Sequence, residues 1–510
     1  MSLAIVNTRA KLGVEAPLVK VEAHLSNGLP ALSIVGLPEA AVKESKDRVR
    51  SALLNSGFEF PARRITINLA PADLPKEGGR YDLAIAVGVL AASGQLPDEA
   101  LAGYEFYGEL ALSGELRPVA GMLPAALRCA QAGAKIILPP QNAQEASLVS
   151  ALEVYAPATL GQLAAFLLGH ERMTPIRQQE RPASSRKAPD MADIKGQFQA
   201  KRALEIAAAG NHNMLMFGPP GTGKTMLASR LVGILPELTE MEALETAAVN
   251  SVAGVSLDMT QWRQRRFRAP HHTASAVALV GGGSNPKPGE ISLAHNSVLF
   301  LDELPEFDRK VLEVLREPME SGEIVISRAA QQTTFPARFQ LIAAMNPCPC
   351  GYSGHPEVAC KCTEMQVSRY RQKISGPLLD RFDLHVEVPA VAINELQRAA
   401  RSESSAQIAS RVNAARQAQL VRAGCANQYL QGESLEQHCQ LGEKERQLLE
   451  RALQRLGLSA RAYHRVLRVA RTIADLSSSP NIQAAHLLES LSFRALDRRR
   501  EPQHEMSQTN

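Results

Sequence analysis

The chain has 510 residues, which suits two to four domains, and 45% of them are hydrophobic, an ordinary globular content. A formal net charge of +4 excludes a polybasic or polyacidic chain and by itself assigns no partner. The opening residues, MSLAIVNTRAKLGVEAP, lack a basic segment followed by a continuous apolar core, and no stretch reaches the roughly 18 apolar residues of a bilayer span. A cytoplasmic protein with no membrane partner is therefore expected, and in that reducing compartment its seven cysteines are not expected to form disulfides.

Residues 1–170 alternate β-rich and helical runs. RITINLAP (64–71) and AKIILPP (134–140) read as buried strands ended by proline. EAAVKESKDRVRSALLNSG (39–57) and YDLAIAVGVLAASG (81–94) read as helices closed by glycine. A Pro-, Ser- and charge-rich linker is expected at 171–189, and a second α/β unit at 190–389. Residues 390–495 are helical by pattern, and 496–510 are expected to be a disordered tail.

The second α/β unit contains NMLMFGPPGTGKTMLASRL (213–231). Its strand–loop–helix context and G-x-x-x-x-G-K-T spacing define a phosphate-binding loop: Gly218, Pro219, Pro220, Gly221, Thr222, Gly223, Lys224 and Thr225. Backbone N–H groups at the helix start suit phosphate oxygens, Lys224 the β- and γ-phosphates of ATP, and Thr225 a Mg²⁺ ion. Downstream, SVLFLDELPEF (297–307) is an apolar strand delivering Asp302 to the Mg²⁺ shell and Glu303 as the base that orients the attacking water. FQLIAAMNP (339–347) ends in Asn346, a polar residue suited to the γ-phosphate and the water.

NPCPCGYSGHPEVACKCTEMQ then places Cys348, Cys350, Cys360 and Cys362 as two C-x-C pairs. Four thiolates can hold a structural Zn²⁺ tetrahedrally, with His355 as a spare ligand; redox-active or free thiols are the alternative. Cys129, Cys425 and Cys439 are scattered and read as packed. Arginines at 455, 461, 465, 468 and 471 occur with no acid between 454 and 471. Arg461, Arg465, Arg468 and Arg471 share one helical face and can meet phosphate or solvent.

The order GPPGTGKT, LFLDE, AAMNP and PLLDRFDLHVEVP resembles AAA+ ATPases of the magnesium-chelatase and MCM-helicase branch. That resemblance implies an arginine finger at Arg381, acting on the neighbouring subunit's nucleotide. It also implies a second sensor at Arg461 near the γ-phosphate, in SARAYHRVLRVARTIADL, and a hexameric ring. FRAPHHTASAVALVGGGSNPKPGEISLAHNSVLFLDE, with REPMESGEIVISRAAQQTTFPARFQLIAAMNPCPCG, resembles more closely the bacterial magnesium-chelatase-like YifB/ComM family. This implies an ATP-driven helicase promoting DNA branch migration in homologous recombination and natural transformation.

In that branch, insertions line the ring's pore. Here they correspond to about 269–293, between the phosphate-binding loop and the strand bearing Asp302 and Glu303, and about 322–336, before the first sensor. Arg328 reads equally as a phosphate contact or an exposed loop arginine. His271 and His272, with no carboxylate or cysteine partner in view, read as structural. YEFYGELALSGELRPVAGMLPAALRCAQAGAKIILPPQNAQEA resembles a Lon-protease-like (S5 domain 2-like) α/β domain. Asp82 stands where its serine nucleophile would fall, and Leu123 and Pro124 where its lysine would, so a fold without peptidase chemistry is expected. Arg63, Arg64, Lys76 and Arg80 lend this domain basic character. A chelatase-type or protein-remodelling ATPase, or a protease's regulatory partner, stands as the alternative to the DNA motor.

Overall fold

The computed structural model describes residues 3–177, 189–283, 286–328, 331–355, 357–390, 403–457, 459–494 and 496. Most of the expected linker (178–188), the start of the helical region (391–402) and the tail (497–510) lie outside the described residues.

The N-terminal strands form one seven-stranded mixed sheet. Its order is Ala31–Val35, Arg64–Ala70, Leu18–Ser26, Leu3–Arg9, Tyr104–Phe106, Lys135–Ile137 and Val154–Tyr155. Alternation sets its faces: Val19, Val21, Ala23 and Leu25 are buried while their neighbours turn outward. Helix Asp82–Ala92 is apolar almost all round, and it lies buried along its whole length on the strands Leu3–Arg9 and Leu18–Ser26. The two expected glycine closures are present, with φ of 82° at Gly57 and 78° at Gly94. Lys76 and Arg80, read from sequence as basic surface, are buried instead. Charge content alone does not tell a solvated lysine from one that bonds the backbone, as Lys76 bonds the Pro71 carbonyl.

The second unit is a five-stranded parallel sheet in the order Phe267–Arg268, Val298–Leu301, Gln340–Met345, Met214–Phe217 and Leu384–Glu387. Both faces are covered, so its central strands are continuously apolar. Met214, Met216, Phe300, Ile342 and Leu384 face one core, and Leu215, Phe217, Leu299, Leu301 and Leu341 the other. The C-terminal region is helical, comprising Ser405–Ala423, Gly432–His438, Glu443–Leu456, Ala460–Leu476 and Ala484–Ser492. Ile408, Val412, Val469, Ile473 and Phe493 from these helices and their end complete the first of those cores. The chain then runs beside the sheet's outer strand, where His385 N donates to Phe493 O (2.7 Å) and Arg494 Nη1 to Phe382 O (2.8 Å).

Two insertions leave the core. The first carries helix Ala276–Val280 and the antiparallel pair Gly281–Gly282 with Lys287–Pro288. The second is the hairpin Glu323–Arg328 with Gln331–Pro336. They pack together: a Cβ at Gly281 (φ 101°) would meet Lys287 O at 2.2 Å and Ile326 Cδ1 at 3.1 Å. The N-terminal domain touches the core too. Leu123 and Ala126 of helix Met122–Gln131 share a cluster with Ala247 and Ala248 of helix Glu240–Ala253. No helix among the described residues is long and apolar enough to cross a membrane.

Candidate nucleotide site

The phosphate-binding loop leaves the carboxyl end of a central strand, the end at which open α/β sheets bind ligands. Gly218 must lack a side chain, since a Cβ there would lie 2.1 Å from Val388 O. Gly221 and Gly223 adopt φ of 76° and 85°, and the helix Lys224–Arg230 begins at once. Lys224 Nζ donates to Gly218 O and Pro219 O (both 2.8 Å) and to Asn346 Oδ1 (3.2 Å). Burial lowers the Lys224 ammonium below its ordinary range, against the pull of Asp302 and Glu303. Thr225 Oγ1 donates to Asp302 Oδ2 (2.6 Å), and Glu303 N to Asp302 Oδ1 (2.9 Å). Two adjacent hard oxygen donors fit a Mg²⁺ ion. Lys224, Thr225, Asp302, Glu303 and Asn346 thus come together from three strands.

Glu303 has a partner that sequence reasoning missed. His272 Nδ1 lies 3.3 Å from its carboxylate, and the imidazole meets Phe307 edge-on at 6.4 Å. Glu303 is held in the left-handed region (φ 51°), which turns its half-exposed side chain towards the insertion. His272 is therefore the link between the first insertion and the acidic end of the strand. Some 30 residues separate the pair in sequence, and no spacing rule joins them.

Arg381 is not at this end. The strand Leu384–Glu387 runs parallel to Met214–Phe217 in register, so Arg381 precedes the sheet where Gly218 follows it. Four residues of strand, about 13 Å, lie between the two. Asn213 Nδ2 donates to Arg381 O (3.3 Å) at that amino end. Arg381 and Arg461 line a cleft of about 470 Å³ together with Glu320, Arg338, Arg465 and Arg468. The helix of Arg461, a residue expected near a γ-phosphate, brings it to Arg381 rather than to its own chain's phosphate loop. Arg381 pairs with Glu320 and donates to Pro377 O (2.7 Å). Burial lowers its guanidinium below the ordinary range; Glu320 opposes this, and Arg316 and Arg461 add to it.

Of the other helix arginines, Arg465 and Arg468 line this cleft and Arg471 is buried. Arg465 and Arg468 are half-buried in the cleft, and Arg468 Nε donates to Leu430 O (2.8 Å). Asp383 is fully buried, which disfavours its charge, yet His212, Arg465 and Arg468 hold it down to about 2. Arg471 is 3% exposed, pairs with Asp475 (2.9 Å) and donates to Pro480 O and Ser479 O. It is removed from the DNA candidates; Asp475 four residues on was the signal in the sequence. Arg328 ends its hairpin strand, and its side chain lies outside the described residues.

Cys348, Cys350, Cys360 and Cys362 converge, with all four sulfurs within 4.8 Å of one another. His355 is not among them; its Nδ1 accepts from Glu357 N and Val358 N (both 3.0 Å). In the N-terminal domain Asp82 is buried against Arg48 (2.7 Å), also accepts from Ser45 and from Leu110 N, and so is tied up as a structural ion pair. Leu123 and Pro124 are buried in their helix.

Residues 190–396 match the family described as magnesium chelatase, subunit ChlI. Residues 21–142 match the subunit ChlI of Mg-chelatase, and 402–494 its C-terminal part. The chain is 55% identical to the competence protein ComM of Haemophilus influenzae over 504 residues, covering 98% of each chain. It is 54% identical to YifB of Salmonella typhimurium over 501 residues, again 98% of each. The chain belongs to the magnesium-chelatase-like YifB/ComM family. Membership in this AAA+ family makes it an ATPase and brings ATP and Mg²⁺ with it. Similarity to the magnesium-chelatase 38 kDa subunit of Cereibacter sphaeroides is 27% over 217 residues, 38% of this chain and 57% of that one.

Proposed function

We propose that this chain is a cytoplasmic ATP-driven motor that works as a hexameric ring on DNA, a helicase promoting branch migration in homologous recombination and natural transformation. One observation carries the ring reading. Arg381 and Arg461 stand a strand's length from Lys224 of their own chain. Set apart from their own chain's phosphate loop, their charges would act on phosphates presented by a neighbour.

In this reading the loop from Gly218 to Gly223 and Lys224 grip the phosphates, and Asn346 holds both Lys224 and the γ-phosphate end. Thr225 and Asp302 would hold Mg²⁺, which would supply positive charge to the phosphoryl group being transferred. Glu303, once clear of His272, orients the attacking water. A neighbour's Arg381 leaves Glu320 for the γ-phosphate, and Arg461 adds a second positive charge. Zn²⁺ at the four cysteines completes the cofactor set. The DNA assignment draws support from the competence protein ComM as a close relative and from the two insertions, which pack as one unit. Arg328 is the phosphate contact proposed there, while Arg465 and Arg468 belong with the arginine cleft.

ATP hydrolysis measured with and without single-stranded, duplex and four-way-junction DNA tests this. Stimulation, falling steeply as salt rises because phosphate contacts release counterions, is expected. Hydrolysis indifferent to every DNA at low salt overturns the DNA reading. It would favour a chelatase-type or protein-remodelling ATPase, or a protease's partner; the similarity to the magnesium-chelatase 38 kDa subunit favours the first of these.

A further inference from the structure

The four-cysteine loop follows the sensor strand directly, and its sulfurs are spaced as metal ligands. Cys348 Sγ lies 3.4 Å from Cys350 Sγ and 3.6 Å from Cys360 Sγ, and Cys350 and Cys360 are also 3.6 Å apart. Tetrahedral Zn²⁺ with bonds of about 2.3 Å sets its sulfurs about 3.8 Å apart. Backbone N–H groups already point at the sulfurs: Ser353 N donates to Cys348 Sγ (3.3 Å) and Cys362 N to Cys360 Sγ (3.4 Å). Such bonds orient thiolate ligands in metal sites. With all four positions filled by sulfur, the metal has no open coordination place and serves structure.

The loop also touches the nucleotide site at two points. Cys348, fully buried, lies two residues after Asn346, which accepts from Lys224. Gly351, with φ 86°, rests on the phosphate-binding loop; a Cβ there would come within 2.8 Å of Pro220 Cδ and 3.2 Å of Cγ. The far side is anchored as well, because Arg371 donates twice to Pro347 O (3.2 and 3.1 Å) from the helix Glu364–Arg371 that begins just past Cys362.

We propose that Cys348, Cys350, Cys360 and Cys362 bind one Zn²⁺ per chain, and that the metal braces the nucleotide site by fixing Gly351 against Pro220 and Asn346 against Lys224. Metal occupancy then sets nucleotide affinity, although the metal never contacts the nucleotide. The coupling rests on the proposed nucleotide site; the metal site does not.

Three full-length proteins decide this: wild type, Cys360→Ser and Gly351→Ala. Each is assayed for zinc by elemental analysis, for fold by circular dichroism, and for binding of a fluorescent non-hydrolysable ATP analogue. Wild type is expected to carry about one zinc per chain. Gly351→Ala is expected to keep the zinc and lose about tenfold to a hundredfold in analogue affinity, because its added Cβ would overpack against Pro220 and displace the loop. This variant tests the brace even if Cys360→Ser fails to fold. A folded Cys360→Ser should lose both zinc and affinity, whereas Cys129→Ser should lose neither. Wild type purified under reducing conditions without zinc overturns the metal site. Gly351→Ala or zinc-free protein binding the analogue like wild type overturns the brace. Wild type that holds zinc but binds no analogue overturns the nucleotide-site reading and the brace together, leaving the metal site standing.

Discussion

The two ends of the core sheet are built on different terms. At the carboxyl ends of the strands, Lys224, Thr225, Asp302 and Asn346 already satisfy one another through hydrogen bonds. At the amino ends, Arg338, Arg381, Arg461, Arg465 and Arg468 share a cleft with only Glu320, Asp380 and Asp383 to balance them. One end is pre-organised for a small dianionic group and its metal. The other carries surplus positive charge that the chain's own acids do not neutralise. The difference is what the proposed ring requires, with the chemistry divided between two chains that each present one half of a site.

The comparison is broken most directly at Arg381. Arg381→Ala should cut ATP hydrolysis by about 10³-fold or more, as loss of an arginine finger does, while nucleotide binding by the isolated variant stays near wild type. A parallel loss of binding would place Arg381 in its own chain's site instead. Glu303→Gln should lower hydrolysis by about 10²- to 10⁴-fold and still bind ATP. Mixing these two inactive variants should restore part of the activity, since some interfaces then pair an intact arginine with an intact glutamate. Mixtures as inactive as their components would count against shared sites.

Arg471→Ala separates the buried arginine from those in the cleft. Removing one partner of a buried ion pair costs about 3 to 5 kcal/mol, so a lower thermal midpoint is expected, and any folded fraction should bind DNA as wild type does. His272→Ala is expected to have the smallest effect. Losing one contact to Glu303 should raise DNA-free hydrolysis about two- to tenfold, the worth of a single hydrogen bond, and narrow the stimulation by DNA. A fall in the DNA-free rate would instead make His272 a support for the active carboxylate.

The carboxyl end was legible because its parts are local. GPPGTGKT carries its own strand and helix, and Asp302, Glu303 and Asn346 each close an apolar strand that sequence marks by itself. The four cysteines were legible as a cluster for the same reason. The amino end was not. Arg461 meets Arg381 only through the packing of helix Ala460–Leu476 against the core, across 80 residues of sequence. Lys76 and Arg471 were misplaced because residue type records charge but not whether a backbone carbonyl or carboxylate waits inside, and Arg80 because it records no aromatic face such as that of Tyr107. His272 and Glu303 lie on different strands' ends, and only the sheet order makes them neighbours.

The bond from His385 to Phe493 has a consequence for how copies of this chain can meet. Leu384–Glu387 is the outermost strand of the parallel sheet, and an uncovered outer strand invites another chain to add to it. The bridge at His385 and Arg494 occupies that rim from within the same molecule. It works as a hem on an open cloth edge, so that in the proposed ring copies would associate through side-chain surfaces rather than by sheet extension. Cutting the chain before Phe493 would undo the hem, and disordered aggregation rather than ring assembly is what such a truncated protein should show.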